Sequence, residues 1–357
     1  MASVKVLTVN PGSTSTKIAV FVDEQNVFQK NIKHGAEELA PFAEITDQFA
    51  FRRDMIVNVI KDEAKMDLSE FDYVVGRGGL PVASGIYEVN EALKRDLRAG
   101  VTGKHASNLG GLIAADLAQL SGKAKAYIAD PVVVDELDEV ARITGHPAFT
   151  RVSIFHALNQ KAIARTYAND HGKKYEVLNL VVVHLGGGVS VAAHRKGPVV
   201  DVDNCLDGNG PFSPERSGSL PCGQLIDACF SGKYTQARLR KMVCGQGGYV
   251  AYLGTNDAYE VELRVKAGDE KAALIEQAMI YQVSKEVGAQ ATVLKGQVDA
   301  ILVTGGIARG KDFVEAIKER VSFIAPVFVY PGEDEMKALA MNAYMLHKGE
   351  IQARIYA

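Results

Sequence analysis

The sequence predicts an α/β protein made of two similar halves that share a cleft. Short apolar strands alternate with segments of helical periodicity along the 357 residues. A strand, a glycine-containing turn and a second strand open the chain, and the same pattern returns near residue 180. The length also corresponds to about two domains of roughly 150 residues each.

The first half contains four predicted strands and one helix. Residues 4–9 and 18–22 are apolar and flank the opening turn, while residues 73–75 and 126–129 form two further short strands. Between the last two, leucine and isoleucine recur at helical spacing over residues 105–120. This spacing predicts a helix with one apolar face.

The second half begins with strands at 180–183 and 189–193, which flank three consecutive glycines. Residues 203–222 form a glycine- and proline-rich connection, and connections of that length in a compact domain are usually functional. The remaining predicted elements are a helix at 270–294, a strand at 298–303, a helix at 312–324 and an amphipathic helix that begins near Asp334.

Composition and charge exclude several classes of protein. Hydrophobic residues make up 47% and charged residues 23%, so the chain has enough apolar surface to fold. A balance of 40 Lys+Arg against 43 Asp+Glu argues against a dedicated nucleic-acid binder. No apolar run approaches the roughly 18 residues of a membrane helix, and no signal-peptide pattern is present. The four cysteines have no metal-binding spacing, which predicts reduced thiols in a cytoplasmic protein.

The segment after the first strand has the residue types of an anion site. Asn10, Ser13, Ser15 and Lys17 surround Gly12. Backbone N–H groups and hydroxyls in such a turn can face an anion, and the lysine adds positive charge. An ordinary hairpin turn is the structural alternative.

The glycine run after the strand at 180–183 is a second candidate anion site. Gly186, Gly187 and Gly188 are consecutive, which costs chain entropy and favours a place where a phosphate approaches the backbone closely. A sharp structural turn remains the alternative. His184, at the strand end, is compatible with a ligand contact and with an interior histidine.

The third candidate segment follows the strand at 298–303. Gly305, Gly306 and Ile307 begin a sequence that almost matches a Walker A loop. Asp312 stands where that motif requires Ser or Thr, and a carboxylate there would repel a triphosphate. We therefore reject a P-loop, although a glycine pair after a strand still lets an adenosine lie against the chain.

Scattered polar residues in apolar surroundings complete the candidates. Arg77 and Asp130 each follow a predicted strand, and ligands of open α/β sheets bind at the carboxyl ends of strands. His105 and His156 each begin a helix, and Arg216 lies in the long connection. Each of them alone is compatible with a structural or a catalytic role. The sequence has no Gly-x-Ser-x-Gly elbow and no His-x-x-x-His metal pair.

Together, the segments at 9–17, 184–188 and 303–307 resemble the acetokinase family, in order and over nearly the whole chain. That family has the actin/hexokinase/Hsp70 type of fold, so the resemblance implies two duplicated ribonuclease H-like domains around a central nucleotide cleft. The implied domains are residues 1–150 plus 337–357, with a returning C-terminal helix, and residues 151–336, which carry the nucleotide site.

Within the family, the segments at 76–79, 186–188 and 207–214 are more similar to the butyrate branch than to the acetate branch. Gly187 replaces an asparagine of the acetate pattern. The family's second active-site arginine has no aligned partner here, and Arg216 is the nearest candidate. The resemblance implies catalytic roles for Arg77, Asp130, His156 and Arg216. It implies that phosphate is bound by Asn10, Ser13, Ser15, Lys17, His184, Gly186, Gly187 and Gly188, and adenosine by Gly305, Gly306 and Ile307. It also implies that His105 and Arg77 contact the substrate or transition state and that Glu335 is linked to magnesium.

The reaction implied by the resemblance is reversible, direct in-line transfer of a phosphoryl group from ATP to a short-chain carboxylate, with butyrate as the first choice. The implied cofactors are ATP/ADP and Mg²⁺, and the implied assembly is a homodimer or a larger homo-oligomer without nucleic acid or membrane. The alternatives are an isobutyrate or acetate kinase, a sugar or hydroxyl kinase with Asp130 as base, and a nucleotide-binding regulatory or chaperone-like ATPase.

Overall fold

The computed structural model describes residues 3–79, 83–101, 106–131 and 134–357. In these residues the strands are β1 (Lys5–Pro11), β2 (Ser15–Val22), β3 (Gln25–Lys33), β4 (Tyr73–Gly76), β5 (Ile86–Glu88), β6 (Lys125–Ala129), β7 (Asn179–Leu185), β8 (Val189–Arg195), β9 (Val199–Val202), β10 (Ala300–Gly305) and β11 (Val327–Pro331). The helices are α1 (Ala36–Leu39), α2 (Phe49–Asp62), α3 (Glu91–Ala99), α4 (Asn108–Ser121), α5 (Glu139–Arg142), α6 (Ala157–Asp170), α7 (Cys222–Phe230), α8 (Gln236–Val243), α9 (Gly248–Leu253), α10 (Ala258–Lys266), α11 (Glu270–Val293), α12 (Lys311–Val321) and α13 (Glu335–His347). The predicted α/β class is confirmed.

The chain divides into two compact units. Unit 1 consists of Met1–Val134 and Asp334–Ala357, and unit 2 is Asp135–Glu333. Residues 135–150 therefore lie in unit 2 and residues 334–336 in unit 1, whereas the predicted domain boundaries are at residues 150 and 336. The C-terminal helix α13 returns to unit 1.

Unit 1 is built on a six-stranded sheet with the order β3-β2-β1-β4-β6-β5. The first three strands form an antiparallel meander, and β4 and β6 run parallel to β1. β1 and β2 are almost entirely buried, while β3 lies at the sheet edge and is largely exposed. The carboxyl ends of β1, β4 and β6 consequently lie side by side at one edge.

Two glycines bring helix α4 against the end of β4. A Cβ atom on Gly76 would lie 2.1 Å from the carbonyl oxygen of Gly110, and one on Gly110 would lie 2.1 Å from that of Arg77. Both positions therefore require glycine, because the backbones are in direct contact. This contact fixes where the chain leaves β4, at Arg77.

Unit 2 repeats the topology on a five-stranded sheet with the order β11-β10-β7-β8-β9. β7, β8 and β9 form an antiparallel meander, β10 runs parallel to β7, and β11 runs parallel to β10. The core on one face includes Val283 and Val287 of the long helix α11. The self-similarity predicted from two strand–turn–strand segments thus corresponds to two sheets with one shared topology.

The elements expected from the sequence lie close to their predicted positions. The predicted strand at 298–303 is β10, two residues further along the chain, and the predicted helix at 105–120 is α4, which begins at Asn108. Residues 203–221 form a connection without helix or strand, as expected. Within the described residues, no helix has the length and apolar character needed to cross a membrane.

Candidate active site

The predicted candidates of unit 1 lie at the carboxyl edge of its sheet. Asn10 is the penultimate residue of β1, Arg77 follows β4 and Asp130 follows β6. Since β1, β4 and β6 are neighbouring parallel strands, their ends place these three residues along one edge. His105, the other candidate of this half, lies outside the described residues.

Glu335 joins two of these strand ends. Its Oε1 atom lies 2.7 Å from Arg77 Nη1, and its Oε2 accepts a hydrogen bond from Asn10 Nδ2 at 2.5 Å. The Arg77 and Glu335 side chains are 23% and 19% exposed. Arg77 Nε is buried and has no hydrogen-bond partner in the described structure. The ion pair with Glu335 therefore anchors the guanidinium at one end.

Asp130 is completely buried and has a strained backbone. Its φ of 38° lies in the left-handed region, which is uncommon for a residue other than glycine. The carboxylate accepts hydrogen bonds from the Gly85 backbone N–H at 3.0 Å and from Asn342 Nδ2 at 3.2 Å. Strain of this kind persists where surrounding contacts hold it and is concentrated at functional sites.

Arg52, which is not among the predicted site residues, binds the turn between β1 and β2 through hydrogen bonds. This arginine of α2 is 1% exposed. It donates hydrogen bonds to the carbonyl oxygens of Gly12, Ser13 and Ser15 at 2.7, 3.0 and 3.1 Å, and to Thr16 Oγ1 at 3.0 Å. With the carbonyls turned toward Arg52, the other side of the turn is available to an anion.

The charge of Arg52 has an unusual environment. Burial lowers the pKa of the guanidinium, whose side-chain partners among the described residues are the neutral groups of Gln48 and Thr16. A buried cation that contacts only neutral acceptors stabilises any anion bound nearby. Of the predicted phosphate ligands, Ser13 is exposed, and Ser15 and Lys17 are half-buried.

In unit 2, the glycine run follows β7, whose last residue, Leu185, contacts the end of β10. The His184 ring is 1% exposed, with Nδ1 2.8 Å from Asn159 Oδ1 and Nε2 3.0 Å from Glu333 Oε1. Direct phosphate binding by this ring would have to displace one of those partners. Gly305 has a φ of 94°, and a Cβ atom there would lie 2.2 Å from the carbonyl oxygen of Leu185.

Arg216 lies against the last glycine of the run. A Cβ atom on Gly188 would lie 1.8 Å from Arg216 Nη1, so the glycine makes room for the guanidinium. Nη1 donates to the carbonyl oxygen of Cys205 at 3.1 Å, and the buried Nε has no partner in the described structure. The long connection therefore brings an arginine to the glycine run.

His156, which caps α6, stacks on His184. Their ring centroids are 3.8 Å apart with an angle of 13° between the planes. His156 Nδ1 lies 2.8 Å from Ser190 Oγ on β8. The structure thus brings together His156, His184 and the glycine run, while Ser190 is a contact that the sequence analysis did not assign.

A cavity of about 590 Å³ in unit 2 connects the two glycine segments. Its lining includes Gly186 and Gly187 from the run after β7, and Gly306 and Ile307 from the turn after β10. Its volume lies within the usual range for small-molecule sites, about 300–1,000 Å³. The predicted second phosphate segment and the predicted adenosine segment therefore share one cavity.

The walls of this cavity combine apolar and acidic side chains. Ile307 and Phe313 are apolar, while Glu262 and Glu276 are carboxylates. Burial, followed by repulsion from Glu262 and Asp312, raises the pKa of Glu276. Carboxylates beside an apolar wall can accept hydrogen bonds from ribose hydroxyls or from an exocyclic amino group.

Two signals in the sequence could have revealed the unassigned contacts. Arg52, Ile56 and Ile60 are the buried residues of α2 and recur every four positions, so the arginine stands in an apolar stripe. Ser190 is a hydroxyl residue in β8, whose first six residues are all buried. A polar residue in such a place needs a partner.

The described residues offer few ligands for the predicted magnesium link. Among the described residues, no cluster of three or more His, Cys, Asp or Glu side chains could hold a metal ion. In phosphoryl-transfer sites, however, Mg²⁺ is usually held by one or two carboxylates together with substrate phosphates. Glu335 is a single, partly exposed carboxylate of this kind, although its two oxygens already contact Arg77 and Asn10, so a metal ion would have to bind through the lone pairs that these contacts leave.

Known proteins resemble this chain over its full length. The sequence profile of the Acetokinase family matches residues 149–324. The chain is 52% identical to butyrate kinase 2 and 53% identical to butyrate kinase 1 of Clostridium acetobutylicum over 354 residues, and both alignments cover 99% of each chain. The crystal structure of Porphyromonas gingivalis acetate kinase is 19% identical, with a TM-score of 0.77 over 96% of this chain and all of that chain.

The structural likeness confirms the predicted fold, which is of the actin/hexokinase/Hsp70 type. The full-length sequence identity to butyrate kinases and the match to the family profile indicate the same family. This chain therefore belongs to the acetokinase family.

Proposed function

We infer that this chain catalyses the reversible, ATP-dependent phosphorylation of a short-chain carboxylate, with butyrate as the preferred acceptor. The observation that carries this proposal is the identity of 52% and 53% to two butyrate kinases over 99% of the chain. The products are an acyl phosphate and ADP. The enzyme is accordingly a phosphotransferase with a carboxyl group as acceptor.

We propose that the cavity of unit 2 binds the adenosine of ATP. Its volume, its apolar wall at Ile307 and Phe313, and the carboxylates of Glu262 and Glu276 support this assignment. Gly186 and Gly187 line the same cavity, so phosphate groups of a bound nucleotide would meet backbone there instead of side chains.

The chemistry requires positive charge and no general base. A carboxylate is already a nucleophile, but it must approach an anionic phosphoryl group. At 4 Å and an effective dielectric constant of about 20, each unit pair of like charges costs ~4 kcal/mol. We assign the reduction of this repulsion to Arg77 on unit 1 and to Arg216 on unit 2, each of which has a buried Nε without a partner in the described structure.

Three further roles follow for unit 1. The turn at Ser13 and Ser15 would bind phosphate, with Lys17 and the buried Arg52 providing positive charge. Glu335 would hold Mg²⁺, which when bound supplies neutralisation of phosphate charge. Asp130, fully buried and bonded to Asn342, is better suited to orienting neighbouring groups than to acting as base or phosphoryl acceptor.

The burial of Asp130 also weakens the alternative of a sugar or hydroxyl kinase. Such an enzyme needs a carboxylate in contact with the acceptor hydroxyl, and Asp130 has no exposed surface. A regulatory ATPase without a small acceptor would hydrolyse ATP in the absence of any carboxylic acid.

The proposal is tested by measuring ATP-dependent acyl phosphate formation with hydroxylamine trapping. Acetate, propionate, butyrate, isobutyrate and valerate are compared at equal concentrations. We expect the highest rate with butyrate, and neighbouring acids to react as well, because one methylene in an apolar pocket is worth only about 1–3 kcal/mol. A maximum at acetate would overturn the acceptor assignment, and no hydroxamate with any acid would overturn the reaction.

We also propose a cytoplasmic homodimer or larger homo-oligomer. The four cysteines are free, which is consistent with a reducing compartment. On α7, Ile226 and Phe230 are 57% and 87% exposed, and no residue of that helix is buried. Light scattering of the intact chain should give at least a dimer, and Phe230→Asp should weaken the association if a second copy covers α7. A monodisperse monomer would refute the assembly.

A further inference from the structure

A row of buried polar side chains leads from the interior of unit 2 to His156. Ser190 Oγ lies 2.8 Å from His156 Nδ1 and 2.9 Å from Gln160 Nε2, and Gln160 Oε1 lies 2.9 Å from His194 Nε2. Ser190, Gln160 and His194 are each no more than 1% exposed, whereas His156 is half-buried. Buried hydrogen-bonding groups need complementary partners, so the direction of each bond can be worked out.

The Gln160 amide has only one suitable orientation. Its Nε2 atom lies 3.2 Å from the backbone carbonyl oxygen of Ser190, which can only accept a hydrogen bond. An amide turned the other way would place two oxygens in contact there. The Gln160 NH₂ group therefore donates to the carbonyl oxygen and to the hydroxyl oxygen of Ser190.

The orientation of Gln160 determines the proton on His194. Its Oε1 accepts, so His194 Nε2 must carry a hydrogen and donate to it. His194 Nδ1 lies 2.6 Å from the hydroxyl of Tyr175, which is also within hydrogen-bond distance of the carbonyl oxygen of Gly197. Burial lowers the pKa of His194 well below its usual value, so the ring is neutral and Nδ1 accepts. The Tyr175 hydrogen is therefore directed to Nδ1, while Lys161 Nζ donates to the Gly197 carbonyl oxygen at 3.1 Å. The contacts of His194 are thus consistent with the amide orientation of Gln160 that Ser190 requires.

The remaining hydrogen is that of the Ser190 hydroxyl. Its oxygen already accepts from Gln160, and within the described residues His156 Nδ1 is the one acceptor within reach of its hydrogen. Donation elsewhere would leave a buried hydroxyl hydrogen without a partner, which is costly. We propose that Ser190 is a positioning residue that donates to His156 Nδ1 and thereby holds the ring proton of neutral His156 on Nε2.

This assignment deepens the proposed function and rests on it for its catalytic consequence. A neutral imidazole with its proton on Nε2 is a hydrogen-bond donor at that atom, which suits contact with an anionic phosphoryl or carboxylate oxygen. Gln160 would act through Ser190, and Ser190 through His156.

The test is the tautomer of His156 in the intact, ligand-free chain. Histidine is labelled with ¹⁵N, long-range ¹H–¹⁵N spectra are recorded near pH 8, and the His156 signals are identified by their loss in His156→Gln. We expect an unprotonated Nδ1 and a protonated Nε2. The opposite tautomer in the unmodified chain would overturn the proposal, whatever the variants do.

Ser190→Ala removes the donor, and Ser284→Ala is its matched control. Ser284 is also a buried serine, but it donates to the carbonyl oxygen of Ile280 within α11. We expect Ser190→Ala to give a mixture of His156 tautomers and to lower kcat about tenfold with little change in KM for ATP, whereas Ser284→Ala changes neither. An unchanged His156 spectrum in folded Ser190→Ala would refute the proposal. Because the spectra need no substrate, failure of the kinase assay would refute the proposed function alone.

Discussion

The guanidinium of Arg77 and the carboxylate of Glu335 form an ion pair at 2.7 Å, which links the end of β4 to the first residue of α13. A second bond from Asn10 to the same carboxylate adds the end of β1. The Glu335 carboxylate therefore joins the start of α13 to the ends of β1 and β4, which are remote from it in sequence. Because Arg77 Nε remains buried without a partner in the described structure, the ion pair holds the arginine in place without using all its donors.

We predict that Arg77→Ala lowers kcat at least a hundredfold and leaves the fold intact. An arginine acting on a transferring phosphoryl group can be worth about 10³–10⁵ in rate. The pair is partly solvated, so its loss should cost only about 1 kcal/mol of stability. The assay is acyl phosphate formation together with thermal unfolding. Arg53→Ala, which removes an ion pair to Asp116 elsewhere in unit 1, is the control and should keep its activity.

If Arg77→Ala were fully active and well folded, the arginine would have no part in phosphoryl transfer. Loss of activity in both arginine variants would instead indicate a general effect of removing charge from unit 1. The comparison therefore separates a local role of Arg77 from an electrostatic effect of the whole unit.

The second prediction concerns Arg52, whose guanidinium reaches four acceptors of the β1–β2 turn. Arg52→Lys keeps the charge, but an ammonium group cannot reproduce the planar fork. Each buried acceptor left without a donor costs about 1–3 kcal/mol. We expect a lower melting temperature and about a tenfold higher KM for ATP, measured at constant ionic strength. Arg53→Lys, at the next position and partly exposed, should change neither quantity, and equal effects of the two changes would contradict this role.

The sequence predicted best those features that are local in the chain. Strands β1, β4, β6, β7 and β10 are short and apolar, and their ends carry the polar residues that the structure places at the sheet edges. Chain order and strand direction suffice for that inference. The glycine segments were found because few residue types satisfy their backbone demands, as the left-handed φ of Gly305 shows.

Features that depend on solvent exposure or on distant backbone atoms were not predictable. β3 is a mostly exposed edge strand with the sequence QNVFQKNIK, so it lacks the apolar pattern of the other strands. Helices α7 and α8 have no buried residue and therefore no apolar stripe fixed by the core. The position of Arg52 in the apolar stripe of α2 indicates that it has a buried partner, but residue types do not show that the partners are carbonyl oxygens of the β1–β2 turn.

The third prediction compares two adjacent glycines in the turn after β10. In Gly305→Ala the new Cβ would lie 2.2 Å from the Leu185 carbonyl oxygen, at a φ of 94° that alanine rarely adopts. Nothing lies within 4 Å of a Cβ on Gly306. We expect Gly305→Ala to destabilise unit 2 by about 2–4 kcal/mol and Gly306→Ala to fold normally, measured by urea unfolding. Equal stabilities would show that the β7–β10 contact is looser than described.

The last prediction is a pH dependence of stability that originates at Asp203. Burial, followed by the neighbouring Glu286 carboxylate, raises the pKa of Asp203 from its ordinary value to about 7, and Arg151 at 3.5 Å only partly opposes this. The folded chain then holds a proton that the unfolded chain releases near pH 4. The free energy of unfolding should therefore fall as the pH rises from about 4 to about 7.

Asp203→Asn removes the titrating group and keeps its shape. Relative to the parent chain, the variant should gain about 3 kcal/mol between pH 5 and pH 8, since one unit of pKa corresponds to ~1.4 kcal/mol and about two units lie between pH 5 and the pKa of Asp203. Urea midpoints at the two pH values measure this gain. Asp201→Asn breaks the ion pair of Arg151 at 2.8 Å and should lower stability at both pH values. Because Asp201 also raises the pKa of Asp203, this variant should show only a fraction of the gain expected for Asp203→Asn. A difference between Asp203→Asn and the parent chain that does not change with pH would rule out Asp203 as the titrating group.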